Sequence, residues 1–203
     1  YMVCVGARRR ASVRTRVRAS AASDVCQRQV LHSSLWGGDL ESFILQSGAR
    51  GLPKKTVMVL TTAETTMYRL GRKLPEGIVI GARGPYGVLA RDTELNKWFR
   101  AKFADRFNTP PTYSAYQMAQ GILGLKVAYD AAAKTSGGKK PTSEQAGSGL
   151  RGMSYEAFGT TVEMKLGNGQ QAVTETAYGI SKWDADKGEQ SIIDVQYYPA
   201  ACV

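Results

Sequence analysis

The stretch VLHSSLWGGDLESFILQSGARGLPKKTVMVLTTAETTMYRL, residues 30–70, decides the fold. Val30 to Trp36 has the composition of a strand, and Gly37-Gly38 breaks it. Asp39 suits the N-cap of a helix running to about Ala49, whose Leu40, Phe43, Ile44 and Leu45 group on one side, with Gly48 and Gly51 near its end. A second unit follows. Thr56 to Thr61, rich in β-branched and apolar residues, reads as a buried strand, and a polar loop leads from it into a short helix near Glu64 to Leu70. Successive βα units predict an α/β fold with a parallel sheet and right-handed crossovers.

The same punctuation continues toward the carboxyl terminus. Gly77 to Ala82 has the continuous apolar content of a third buried parallel strand, and Gly84-Pro85-Tyr86-Gly87 ends it. That turn is expected to be a linker where the chain crosses to another lobe. Asp92 to Phe107 repeats Leu95, Trp98, Phe99, Phe103 and Phe107 at helical spacing, with Lys97, Arg100, Asp105 and Arg106 outward. Beyond Pro110-Pro111, Ser114 to Lys134 is a long helix apolar on most faces, with Met118, Ile122, Leu123, Leu125 and Val127, and is expected to be buried between layers. A surface loop follows at 137–141, and Thr142 caps a weaker helix to about Leu150. Thr160 to Leu166 alternates like an exposed strand, and Gly167-Asn168-Gly169 is a hairpin-type turn signal. Tyr178 to Trp183 and Ile192 to Tyr198 read as two antiparallel strands joined across Asp184 to Gln190.

Residues 1–29 differ in kind. Residues 1–31 hold seven arginines, one acid and no lysine, whereas the other 172 residues carry twenty basic and sixteen acidic groups. The overall charge of +10 is therefore concentrated in a short segment, and the body's +4 argues against nucleic acid as a partner. The segment shows no sustained periodicity and is expected to be disordered or misassigned. It reads as a solvated basic tail, as an arm for nucleic acid, or as GC-rich codons translated out of frame. The first residue is Tyr1 rather than Met, which suggests a piece of a longer product. No run of apolar residues is long enough to cross a bilayer, and the start lacks the charge order of a secretory signal.

Motifs for chemistry are missing. There is no phosphate-cradling loop of either common kind after a strand, and no nucleophile elbow. Three cysteines with a single histidine, His32, do not make a zinc site, so no metal and no cofactor is expected. Carboxylates such as Asp39/Glu41 and Asp92/Glu94 lie at helix starts, where the helix dipole accounts for them. An enzyme is not indicated, because no nucleophile, base and orienting group can be assembled. What remains is geometric. Ligands of open parallel sheets bind beyond the carboxyl ends of the strands. Ser34, Trp36, Gly37, Gly38 and Asp39 follow the first strand, and Thr62 and Glu64 follow the second. If the two strands are neighbours, Trp36 and Glu64 line one cleft wall. A carboxylate beside an aromatic face suits a small ligand with an amine and an apolar part. Against that stands a plainer reading, with Trp36 in the core and Glu64 a helix N-terminal acid.

The run His32-Ser33-Ser34-Leu35-Trp36-Gly37-Gly38-Asp39-Leu40-Glu41, with Gly51-Leu52-Pro53, Leu74-Pro75-Glu76-Gly77, Pro110-Pro111-Thr112-Tyr113, Ala115-Tyr116 and Ala128-Tyr129-Asp130-Ala131-Ala132, resembles the carboxyl-terminal half of type 1 periplasmic solute-binding proteins. The likeness is to the branched-chain amino-acid (Leu/Ile/Val) receptors of ABC transporters and covers roughly residues 30–203. It implies a two-lobed clamshell that closes on an amino acid or related small molecule in the periplasm and is then recognised by an ABC permease in the membrane. By this resemblance Trp36 to Asp39 match the loop that touches the ligand, and Glu64 matches the acid that receives its ammonium. Gly84, Pro85 and Tyr86 fall near a hinge. Residues 30–83 would belong to the second lobe, 84–175 would return to the first, and 176–203 would go back to the second. Members of the family are considerably longer, so the resemblance implies a truncated subunit that lacks the main sheet of the first lobe. The same fold also serves cytoplasmic ligand sensors that regulate genes, and the arginine-rich segment leaves an Arg-tailed nucleic-acid binder as a further alternative.

Overall fold

The apolar, β-branched runs of residues 30–81 lie side by side in one sheet, as their lack of polar alternation requires. The computed structural model describes residues 2–5, 30–166 and 171–202. Its strands are β1 (Met2–Val5), β2 (Val30–Ser33), β3 (Val57–Leu60), β4 (Val79–Gly81), β5 (Ser154–Ala157), β6 (Thr160–Leu166), β7 (Gln171–Val173), β8 (Thr176–Asp184) and β9 (Glu189–Tyr198). Its helices are α1 (Gly37–Ala49), α2 (Glu64–Leu70), α3 (Glu94–Phe107), α4 (Tyr113–Thr135) and α5 (Ser143–Gly149). The chain divides into two compact units, one comprising residues up to Gly81 with Tyr178–Val195, the other Ala82–Ala177 with Gln196–Val203.

In the first unit the sheet runs β1-β2-β3-β4-β8-β9. β2, β3 and β4 are parallel, with Ser33 opposite Leu60 and Leu60 opposite Ile80, while β1 and β8 run antiparallel to their neighbours β2 and β4. Leu31, Leu40, Ile44, Met58, Leu60, Met67 and Ile80 form the core. Ser181 fastens β8 from its side chain, accepting from Ile78 N–H at 3.0 Å and donating to Pro75 O at 2.9 Å. The segment expected to be disordered, residues 1–29, lies outside the described residues except for Met2–Val5, which form β1. Helix α1 begins at Gly37 rather than after Asp39, because Trp36 already has the extended backbone of a cap and Gly37 takes a left-handed φ of 59° that only glycine adopts cheaply. Asp39 instead sits in the first turn.

The second unit carries the three-stranded sheet β5-β6-β7 with α3, α4 and α5. β5 and β6 are joined by Phe158-Gly159, both at positive φ (55° and 79°), the backbone of a two-residue hairpin turn whose twist matches the strands. Phe158 is buried and packs against Phe99 and Tyr116, with ring centroids 5.1 Å away in each case. Two expectations fail here, the first only in part. Of the apolar stripe of α3, Phe99 packs against Phe158 and Tyr116 and Phe103 is half-buried, but Leu95, Trp98 and Phe107 are exposed, and the fully covered residue of that helix is Asn96. Nor is α4 buried between layers. Its covered side is the row Tyr113, Tyr116, Gln120, Gly124, Ala128 and Ala132, three or four residues apart, and Met118, Ile122 and Leu125 face outward. Small residues in that row admit Tyr155, whose hydroxyl donates to Gln120 O at 3.1 Å beside the bare Cα of Gly124. β9 lies beside β8 in the sheet, and its last residues, from Gln196 on, group with the second unit, where Tyr197 stacks under the Arg91 guanidinium at 3.8 Å and donates its hydroxyl to Leu89 O at 3.2 Å. Arg91 in turn holds Glu175 through two bonds, at 3.0 and 2.6 Å. The Gly167-Asn168-Gly169 turn signal lies outside the described residues.

Tyr86 is the largest fully buried side chain of this unit together with Tyr116, on which it stacks at 5.9 Å. Burial pushes its phenol up to about 12 from an ordinary 10.0. Between those values the unfolded chain releases a proton that the folded chain keeps, so stability is intact below pH ~10 and falls as pH rises toward ~12. The loss should amount to about 2–3 kcal/mol. Urea midpoints across this range should fall more steeply for the parent than for Tyr86→Phe; equal slopes would exclude Tyr86 as the source.

Candidate functional site

Adjacent parallel strands deliver their following loops to the same edge, and here the two loops are tied together. Thr61 gives its N–H (3.2 Å) and its hydroxyl (3.4 Å) to Ser33 O at the end of β2. The Thr62 hydroxyl donates to Leu35 O at 2.5 Å, and Leu35 N–H donates to Ser33 Oγ at 3.2 Å. Hydroxyl-rich composition after β3 is what makes this possible, because each Thr can satisfy a carbonyl that the strand leaves behind. Sequence reasoning missed Thr61 in this role; the threonine pair immediately after an apolar strand was its signal.

The stitched loops push Trp36 to the rim, where it is 66% exposed. Ser34, Gly38 and Asp39 are exposed beside it. A Cβ added at Gly37 or Gly38 would meet nothing within 4 Å, so the backbone at the start of the thirteen-residue α1 stands open. That end of the helix carries partial positive charge and unsatisfied N–H groups. The arrangement thus combines an indole face, open helix amides and one exposed carboxylate, that of Asp39. It can hold a small molecule with an apolar part and charges of both signs.

Thr62 and Glu64 sit differently. Thr62 is fully buried and spends its hydroxyl on the loop tie. Glu64 is fully buried too, so its carboxylate does not share an open wall with Trp36. The reason is helical phase: Glu64, Met67 and Leu70 recur every three residues on the core-facing side of α2. Gly84, Pro85 and Tyr86 are also buried, three residues or more past the boundary between Gly81 and Ala82 and within the second unit. No group of side chains suited to a metal ion occurs among the described residues, and no helix among them is long and apolar enough to cross a membrane.

A family model described as periplasmic binding protein matches residues 12–189. The match takes in the later part of the arginine-rich segment, which the sequence reading had left outside the resemblance. Among solved structures, the chain is similar to a solute binding protein of an ABC transporter from Rhodopseudomonas palustris BisB5 in complex with 3,4-dihydroxy benzoic acid, with a TM-score of 0.67 and 18% identity over 90% of this chain and 48% of that one. An amino acid ABC transporter substrate-binding protein from Pseudomonas fluorescens Pf-5 gives 0.65 and 15%, over 92% and 49%. A leucine binding protein from Thermotoga maritima MSB8 gives 0.62 and 14%, over 91% and 48%. The chain spans about half the length of these structures. No curated protein matches the sequence.

Proposed function

The chain belongs to the periplasmic binding protein family, and from that premise we propose that it serves in the periplasm as part of the solute-binding subunit of an ABC importer, capturing an amino acid of the branched-chain or a related class for a membrane permease. The observation that carries this reading is the pair of tied loops presenting Trp36 beside the open start of α1. The indole covers the hydrocarbon of the solute, the α1 amides receive its carboxylate, and Asp39 faces its ammonium. Thr62 holds the loop in place. Solute binding of this kind needs no bond to be made or broken, which agrees with a sequence that offers no catalytic constellation.

Calorimetric titration of the chain with leucine tests this. Trp36→Ala is expected to weaken leucine binding about tenfold or more, because a large aromatic contact is lost. Asp39→Asn should weaken leucine about two- to fivefold, as befits an exposed ion pair. Unaltered leucine affinity in Trp36→Ala would overturn the assignment of the site. Loss of leucine binding in Glu64→Gln with Asp39→Asn unaffected would move the ammonium to Glu64.

A further inference from the structure

The chain passes between the two compact units three times, after Gly81, after Ala177 and after Val195. The second and third passages are made by the neighbouring strands β8 and β9. On the second-unit side, one side chain holds both. The Arg91 guanidinium donates to the two carboxylate oxygens of Glu175, just before the second passage, at 3.0 and 2.6 Å. It also lies 3.8 Å from the ring centroid of Tyr197, just after the third. The Glu175 side chain is only 17% exposed, which shelters the pair from water.

Arg91 is itself placed by the core of the second unit. Its carbonyl accepts from Nδ2 of the fully buried Asn96 at 2.6 Å, and the Tyr197 hydroxyl donates to the carbonyl of the fully buried Leu89 at 3.2 Å. Only arginine performs both tasks at once, because the edge of a guanidinium matches a carboxylate while its flat face covers a ring. On the other side of the third passage the backbone has the opposite character. Asp194, within β9, has a φ of 53°, a strained left-handed conformation for a residue with a Cβ.

We propose that Arg91 is a positioning residue that fastens the second-unit ends of the second and third passages into one fixed foot, so that β9 bends at Asp194, beyond the passage, and not at residues 196–198. The device belongs to the chain itself and holds whatever solute the Trp36 edge takes. Backbone amide exchange of the full chain, followed by mass spectrometry, tests it. Arg91→Lys keeps the charge but can neither fork nor stack, so residues 171–177 and 196–202 should both exchange about tenfold faster, while α4 changes less than about twofold. Tyr197→Leu should speed 196–202 and leave 171–177 slow, and Glu175→Gln should act mainly on 171–177, because these variants each remove one arm of the contact. Asp194→Gly removes the steric strain and should speed 193–195 while 196–202 stay slow. Thermal midpoints report whether each variant folds, and the Tyr197 and Glu175 variants carry the test if Arg91→Lys does not. Unchanged exchange at 196–202 in Arg91→Lys would show that pairing with β8 alone holds that segment. Equal acceleration of α4 would show that Arg91 supports the whole unit, and release of 196–202 in Asp194→Gly would put the bend inside the foot. Each of these results would overturn the proposal.

Discussion

Gly84→Ala is expected to lower the stability of the second unit by about 3 kcal/mol, since it combines backbone strain with overlap in a packed core. Gly84 has a φ of 148°, and a Cβ built there would lie 2.3 Å from the Tyr86 ring. The ring has nowhere to go. It is 1% exposed, stacked on Tyr116 and bonded to Gln120, so relief would require breaking a buried hydrogen bond or dislodging a second aromatic ring. Gly121→Ala is the fitting control, because a Cβ there meets nothing within 4 Å and the residue lies inside α4. That change should be neutral or stabilise by up to about 1 kcal/mol through helix propensity. Thermal unfolding followed by circular dichroism distinguishes the two. Equal midpoints for the alanine variants at 84 and 121 would show that the Tyr86 ring can move aside.

Asn96→Asp should cost about 3 kcal/mol or more at neutral pH, although it changes one atom. Asn96 is fully buried, and its Nδ2 donates to Arg91 O at 2.6 Å and to Phe158 O at 2.9 Å. It thereby joins the loop before α3 to the β5-β6 hairpin and holds Phe158 in its left-handed backbone. A carboxylate at this position points an oxygen at two carbonyl oxygens and leaves both without a donor. Burial and repulsion raise the pKa of the new acid in the folded state. Its protonated form can still donate to one carbonyl. The defect should therefore be smaller at acid pH and grow as pH rises through that raised value. Denaturant titrations of parent and variant at pH about 4 and about 7 provide the check. A difference independent of pH would mean that the side chain had left the pocket.

The first unit was readable because each signal there is local. Apolar runs of four to six residues, a Gly pair after Trp36 and a Thr pair after Leu60 specify strand, turn and loop over short distances. Helix α2 was placed from Glu64 to Leu70 on those grounds, and it occupies that span. The short strands β5 and β7 escaped notice because three- and four-residue strands hold too little pattern to rise above the surrounding chain. Periodicity located α3 and α4 but misjudged their faces. Apolar side chains at helical spacing show that a stripe exists, not that a partner covers it, and in α4 the covered row turned out to be the one carrying Gln120, Gly124 and Ala128.

For the candidate site the division is similar. Residue order alone placed Trp36 and the Thr61-Thr62 pair after successive parallel strands, because βα units repeat one hand and one direction; that the two strands are neighbours was supplied by the sheet. Which side chains reach the rim was decided only by tertiary packing. Glu64 falls in phase with Met67 and Leu70 and goes inward, while Trp36 precedes the helix and stays out. Gln120 makes the same point: from the sequence it is a polar residue on a helix, and only the hydroxyls of Tyr86 and Tyr155, from 34 and 35 residues away along the chain, turn its amide into a fixed buried donor. Local chemistry sets the elements, but the meeting of distant residues sets burial, and burial determines whether a polar group is structural or available to a ligand.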